Sequence, residues 1–292
     1  MELKNDRKMI ILRQKFLEKI YCGNIDLSEL NLEVYDSFSQ KEFGIVSSGI
    51  SKLRKVIANQ IDKSIARDIA KNQEIVNQIK SREPVIGTNP RVRRKLHEIG
   101  LENNARVNID ESLSQSNGTL LDTEKVINDL LKKKNTEGLK REELTRLNHL
   151  QEDLKNGISS QIYVGEGSSG ETIAHEIGHA MNKNSGGRIA RNHKKGLQSL
   201  KELNSATRDV IEGKDTSSDI AKIPNRLLGQ IRLISEERRA NKNGLLALKK
   251  SGASKEELNK IQKDYKNDVK SYKINRLSWK GPIRDKLKGG AE

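Results

Sequence analysis

Three residues in the stretch "SSGETIAHEIGHAMNKNSGG", residues 168–187, have the types and the spacing to do chemistry: His175, Glu176 and His179. On a helix, positions i and i+4 project from one face about a turn apart, so the two imidazoles can grip a single metal ion. Glu176 is rotated off that line, where it can take a proton from water activated by the metal. Zinc suits such a set, because it accepts imidazole and carboxylate ligands and leaves a position open. Around these residues lie Ile173, Ala174, Ile177, Gly178, Ala180 and Met181, apolar or small nearly all round, which predicts a buried helix. The plainer alternative, two histidines satisfied within a core, must bury two imidazoles and a carboxylate together. That is costly unless they find partners, and a metal ion offsets the cost.

A catalytic zinc site needs a third protein ligand. The extended pattern H-E-x-x-H-x-x-G-x-x-H fails here, since Asn182 and Ser185 stand where its glycine and last histidine would fall. His193 lies in a polar stretch and reads as a free surface histidine. A better donor is on "LISEERRANKNGLLAL". There Leu233, Ile234, Ala240, Asn241, Gly244, Leu245 and Leu248 share one helical face with Glu237 in its middle, while Glu236 falls on the polar side. An acid among such neighbours is out of place unless something positive faces it. The competing explanation is a surface salt bridge through Glu236 with Glu237 half buried.

"HEIGH" followed by E-x-x-A-N, Glu237 to Asn241, resembles the zincin metallopeptidases of the gluzincin kind over roughly residues 158–250. That resemblance implies a zinc (Zn2+) metalloendopeptidase. His175, His179 and Glu237 would hold the metal, and Glu176 would be the general base. A Tyr, His or Arg would steady the oxyanion; His193, Tyr265 and Tyr272 are available, and the sequence does not choose among them. The resemblance also implies a polypeptide substrate docked along the strand before the active-site helix, here residues 159–165.

These residues need elements to hold them. Ser168 and Glu171 have the S-x-x-E spacing of a capping box, and Asn184, Ser185 and Gly186–Gly187 stop the helix. "SSQIYVGEG" at 159–167 predicts a strand, as does "ARVNID" at 105–110. Helices are expected over 6–21, 48–81, the stretch "RVRRKLHEIG", two segments within 123–156, and 224–251. Residues 184–223 read as polar with few apolar anchors, and the tail from Lys255 as solvated helix ending in a "WKGP" turn. The fold class is therefore α+β and mainly α: a zincin-like domain over 86–292 with a small sheet beside the active-site helix, and a long helical N-terminal region over 1–85.

Composition bounds the rest. Across 292 residues, 33% are hydrophobic and another 33% charged, a thin supply of core for the length. Cys22 is the only cysteine, so no internal disulfide or thiolate cluster can form. The N-terminus does not read as a signal peptide, and no segment approaches the roughly 18 apolar residues of a membrane span. Synthesis in the cytoplasm is expected, with release as a particle component or a delivered effector. The net charge of +15 suits an anionic partner, although dispersed lysines also fit a merely solvated surface. Two other functions compete with the peptidase. One is a structural or assembly protein of phage or mobile-element type carrying a zincin-like module. The other is a basic nucleic-acid binder, which the 3% aromatic content disfavours.

Overall fold

The computed structural model describes residues 40–113 and 118–289, and the helix expected over 6–21 lies outside them. Among the described residues the order is α1 (Gln40–Ser81), α2 (Pro90–Glu102), β1 (Ala105–Ile109), β2 (Gly118–Asp122), α3 (Thr123–Thr136), α4 (Arg141–Lys155) and β3 (Ser160–Val164). Then come α5 (Gly170–Asn184), α6 (Gly187–Ile211), a 3-10 turn (Ser217–Lys222), α7 (Ile223–Lys250), α8 (Lys255–Ser271), a second 3-10 turn (Tyr272–Arg276) and α9 (Leu277–Gly289). The protein is a mainly helical α+β fold with a three-stranded mixed sheet. No described helix is long and apolar enough to cross a membrane.

The chain divides into two units. Among the described residues the smaller comprises 40–66, 215–220 and 280–289. Within it Ala58 and Ile65 are buried, Thr216 donates to Asp285 through both its N–H and its hydroxyl, and Lys288 pairs with Asp62 at 2.8 Å. The larger unit, residues 67–214 and 221–279, carries the sheet and the histidine helix.

In the larger unit β3 is the central strand, parallel to β1 and antiparallel to β2. Ile162 and Val164 are fully buried in it, as a middle strand of β-branched residues should be. One core joins these strands to Ile173 and Ile177 of α5, Leu96 and Ile99 of α2, Leu248 of α7, and Ile261 and Tyr265 of α8. A smaller cluster, Ile127 with Leu147 and Leu150, holds α3 to α4.

Helix α5 packs against the sheet and crosses α7 at very close range. A Cβ on Gly178 would lie 2.0 Å from the Ala240 carbonyl oxygen, and one on Gly244 would lie 2.9 Å from that of Ala174. Two glycines thus let the two backbones touch, which brings Glu237 within reach of the histidines.

Several expectations are corrected. Residues 187–211 form a 25-residue helix, α6, whose buried stripe is His193, Gly196, Leu203, Ala206, Thr207 and Val210. Helix α8 is not a solvated tail: Ile261, Tyr265 and Val269 are buried at intervals of four. The "WKGP" turn is absorbed into α9, with Pro282 inside the helix. Ser169 rather than Ser168 caps α5, accepting from the Thr172 N–H, while Glu171 reaches across the chain to accept from the Ile86 N–H at 2.7 Å. Finally, β3 is paired on both sides from Ser160 to Val164, so it has no free edge on which to dock a substrate along 159–165.

Candidate metal centre

Helix α5 presents His175 and His179 to α7, and α7 returns Glu237 between them. The Nε2 atoms of the two histidines are 3.1 Å apart, and Glu237 Oε2 lies 3.4 Å from that of His175 and 3.7 Å from that of His179. Glu237 is 4% exposed despite its charge. Glu176, predicted one step off the metal line, borders the same cavity as His175 and Glu237. Its side chain rests on the first residue of β2: a Cβ on Gly118 would fall 2.5 Å from Glu176 Cγ and 2.8 Å from its Oε1.

Protons determine what this convergence means. His175 Nδ1 is 2.7 Å from Asn241 Oδ1, and His179 Nδ1 is 3.2 Å from Glu236 Oε1. Both partners are oxygens that can only accept, so each ring carries its proton on Nδ1. The two Nε2 atoms then turn lone pairs toward one another and toward a carboxylate oxygen. Three acceptors facing each other repel unless a cation or extra protons sit among them. A tetrahedral ion with ligands at about 2.0–2.1 Å would hold those atoms about 3.3–3.4 Å apart, which the observed 3.1, 3.4 and 3.7 Å bracket.

The electrostatics agree. Burial opposes charge on His179, yet the carboxylates of Glu236 and Glu237 outweigh it and raise the ring to about 10. His175 is raised in the same way, burial being overcome chiefly by Glu237. For Glu237 burial favours the neutral acid, but in the metal-free chain the His175 and His179 rings, when they take up a second proton on Nε2, donate to it and hold it well below the usual carboxylate range. The pocket is built for positive charge. His175, His179 and Glu237 could together hold a metal ion.

The centre opens on a cavity of about 750 Å³ bordered by His175, Glu176, Glu237, Asn241 and Tyr272. Of the three side chains available to steady an oxyanion, Tyr265 spends its hydroxyl on the Glu171 carbonyl at 2.7 Å. Tyr272 faces the cavity, where burial first and the charges of Glu237 and Glu176 second push its phenol well above the ordinary value. It therefore keeps its proton at neutral pH.

His193 is neither free nor at the surface. It is 4% exposed, and its Nδ1 lies 2.6 Å from Glu236 Oε1. Glu236 is 1% exposed, not on a polar face, because α6 covers that side of α7: a Cβ on Gly196 would sit 3.5 Å from Glu236 Cβ. Asn182 Nδ2 donates to the same oxygen at 2.8 Å. Burial would raise Glu236, but these three donors bring it down to about 2. Asn241, four residues after Glu237, stands in the sequence on the Glu237 face and in the E-x-x-A-N pattern. Its role behind His175 emerges from the helix crossing. Comparison of the chain with protein-family models, curated proteins and solved structures finds no match.

Proposed function

We propose that this chain is a zinc-dependent peptidase with Glu176 as general base. The observation that carries the reading is the meeting of two imidazole nitrogens and a buried carboxylate oxygen, all acceptors, beside a cavity that Glu176 also borders. Two nitrogen donors favour zinc over the hard, oxygen-seeking cations calcium and magnesium. When bound, zinc supplies Lewis acidity, acidifying water and polarising a peptide carbonyl. The protein's own share is then specific. Asn241 and Glu236 hold the imidazoles in the tautomer that leaves Nε2 free. Glu176 accepts a proton from the attacking water and passes it to the leaving amine. The Tyr272 hydroxyl donates to the developing oxyanion.

An extended substrate has a place to add. Among the described residues β2 pairs only with β3, so its outer edge is open, and it begins at Gly118 against Glu176. In this reading the peptide joins the sheet at β2 instead of along 159–165. The resemblance to gluzincins supports the same assignment, through "HEIGH" and the Glu237-to-Asn241 spacing.

The test is cleavage of a peptide library by the zinc-loaded chain, with products read by mass spectrometry. Cut peptides from wild type and none from Glu176→Gln support the reading. Bound metal without cleavage in either protein would favour an assembly protein with a metal-stabilised module.

A further inference from the structure

We infer that Glu236 is a positioning residue of the metal centre, clamped by His193 and Asn182 so that it fixes the ring of His179. The inference rests on the metal reading above. One carboxylate oxygen, Glu236 Oε1, lies 2.6 Å from His193 Nδ1, 2.8 Å from Asn182 Nδ2 and 3.2 Å from His179 Nδ1. Asn182 is oriented independently, because its Oδ1 accepts from Asn243 Nδ2 at 2.9 Å, which turns its amide nitrogen toward Glu236. Three donors therefore converge on one oxygen, from α5, α5 again, and α6.

His179, His193 and Glu236 also have the composition and closeness of a second metal group, with their ligand atoms within 4.8 Å of one another. The hydrogen bonds argue against that use. A ring nitrogen that faces a carboxylate oxygen at these distances carries a proton, so neither Nδ1 has a lone pair left for an ion. The cluster instead serves the ion on the far side of His179. A proton held on Nδ1 places the lone pair on Nε2, the atom that faces His175 and Glu237. An N–H bond to a carboxylate also makes the ring a stronger metal ligand, an arrangement whose loss typically weakens metal binding about 10–100-fold. Helix α6, through His193, is thereby tied to the centre without touching the ion.

The experiment compares the full-length chain with Glu236→Gln and His193→Gln. It measures zinc affinity by competition with a chromophoric chelator, ions bound per chain by elemental analysis, and the visible spectrum of the cobalt-loaded proteins. Wild type should bind one ion. Both variants should still saturate at one ion, with affinity lowered about 10–100-fold and shifted cobalt bands, a change that a purely structural role would not produce. Zinc affinities within about twofold of wild type and an unchanged cobalt spectrum in both variants would overturn the inference. So would a second ion in wild type that is lost in His193→Gln. A wild type that binds no ion at all removes the metal reading itself, and is distinguishable from these outcomes. Should Glu236→Gln fail to fold, long-range proton–nitrogen NMR on zinc-loaded wild type decides the matter. Protons on Nδ1 of both His179 and His193 support the inference, and an unprotonated, metal-coordinated Nδ1 on His193 overturns it.

Discussion

The Nε2 atoms of His175 and His179 face each other at 3.1 Å while both Nδ1 atoms are engaged by oxygen acceptors, Asn241 for one and Glu236 for the other. Neither neutral ring has a proton to place between them. That relationship lets the pair, together with Glu237, take up positive charge, either an added proton or a metal ion.

Replacing either ring should remove the ion. His175→Ala and His179→Ala are expected to lose zinc and all peptidase activity, whereas Glu176→Gln should keep the metal and lose turnover by about 10²–10⁴-fold. Metal content and cleavage rate on the same preparations check this. Loss of metal from Glu176→Gln would place that carboxylate among the ligands.

The two adjacent acids of α7 should separate by degree. Glu237→Ala removes a direct donor and should abolish tight zinc binding. Glu236→Ala leaves the donor set whole but frees His179, so a weaker defect of about 10–100-fold is expected. Chelator competition on both variants measures the gap.

Gly118 should matter for turnover out of proportion to its place on a strand end. A methyl there must push on the end of the Glu176 side chain, 2.5–2.9 Å away, and not on the backbone. Gly118→Ala should therefore keep its zinc and nearly all its stability while cleavage falls. Gly178→Ala differs, because its new methyl meets the Ala240 carbonyl at 2.0 Å and neither backbone can yield cheaply. Overpacking of that kind costs about 1–3 kcal/mol or more, and thermal melting should show it together with loss of metal.

The metal-free chain should respond to pH with a definite sign. His179 is raised from 6.5 to about 10, so its contribution to stability is complete below about pH 6.5 and is lost as pH rises through 10. Glu236 is lowered from 4.5 to about 2, so its contribution is present above about pH 4.5 and is lost as pH falls through 2. Denaturant melts of the chelator-treated protein should show both contributions in full between about pH 4.5 and 6.5. Zinc competes with the proton on His179, so its apparent affinity should rise with pH over the range in which the apo protein loses stability.

How much of this the sequence carries depends on how each helix is buried. Helix α5 and the Glu237 face of α7 were legible because large apolar residues mark them, Ile173 and Ile177 on one, Leu233 and Leu248 on the other. Helix α6 was not. Its stripe runs through a histidine, a glycine and a threonine, with Leu203 and Val210 seven apart, so the apolar period is diluted. With α6 unread, nothing could show that Glu236 has a covered face or that His193 is buried. The steps of four from Ile261 to Tyr265 to Val269 were present in α8 but submerged in charge. β2 is only five residues long and opens on a glycine, too little pattern to mark the strand that supports Glu176.

The most direct test is zinc content of the purified chain, wild type beside His179→Ala, by elemental analysis. One tightly held zinc per wild-type chain and none in the variant is the expected result. A wild type that remains metal-free after equilibration with excess zinc would contradict the account at its centre.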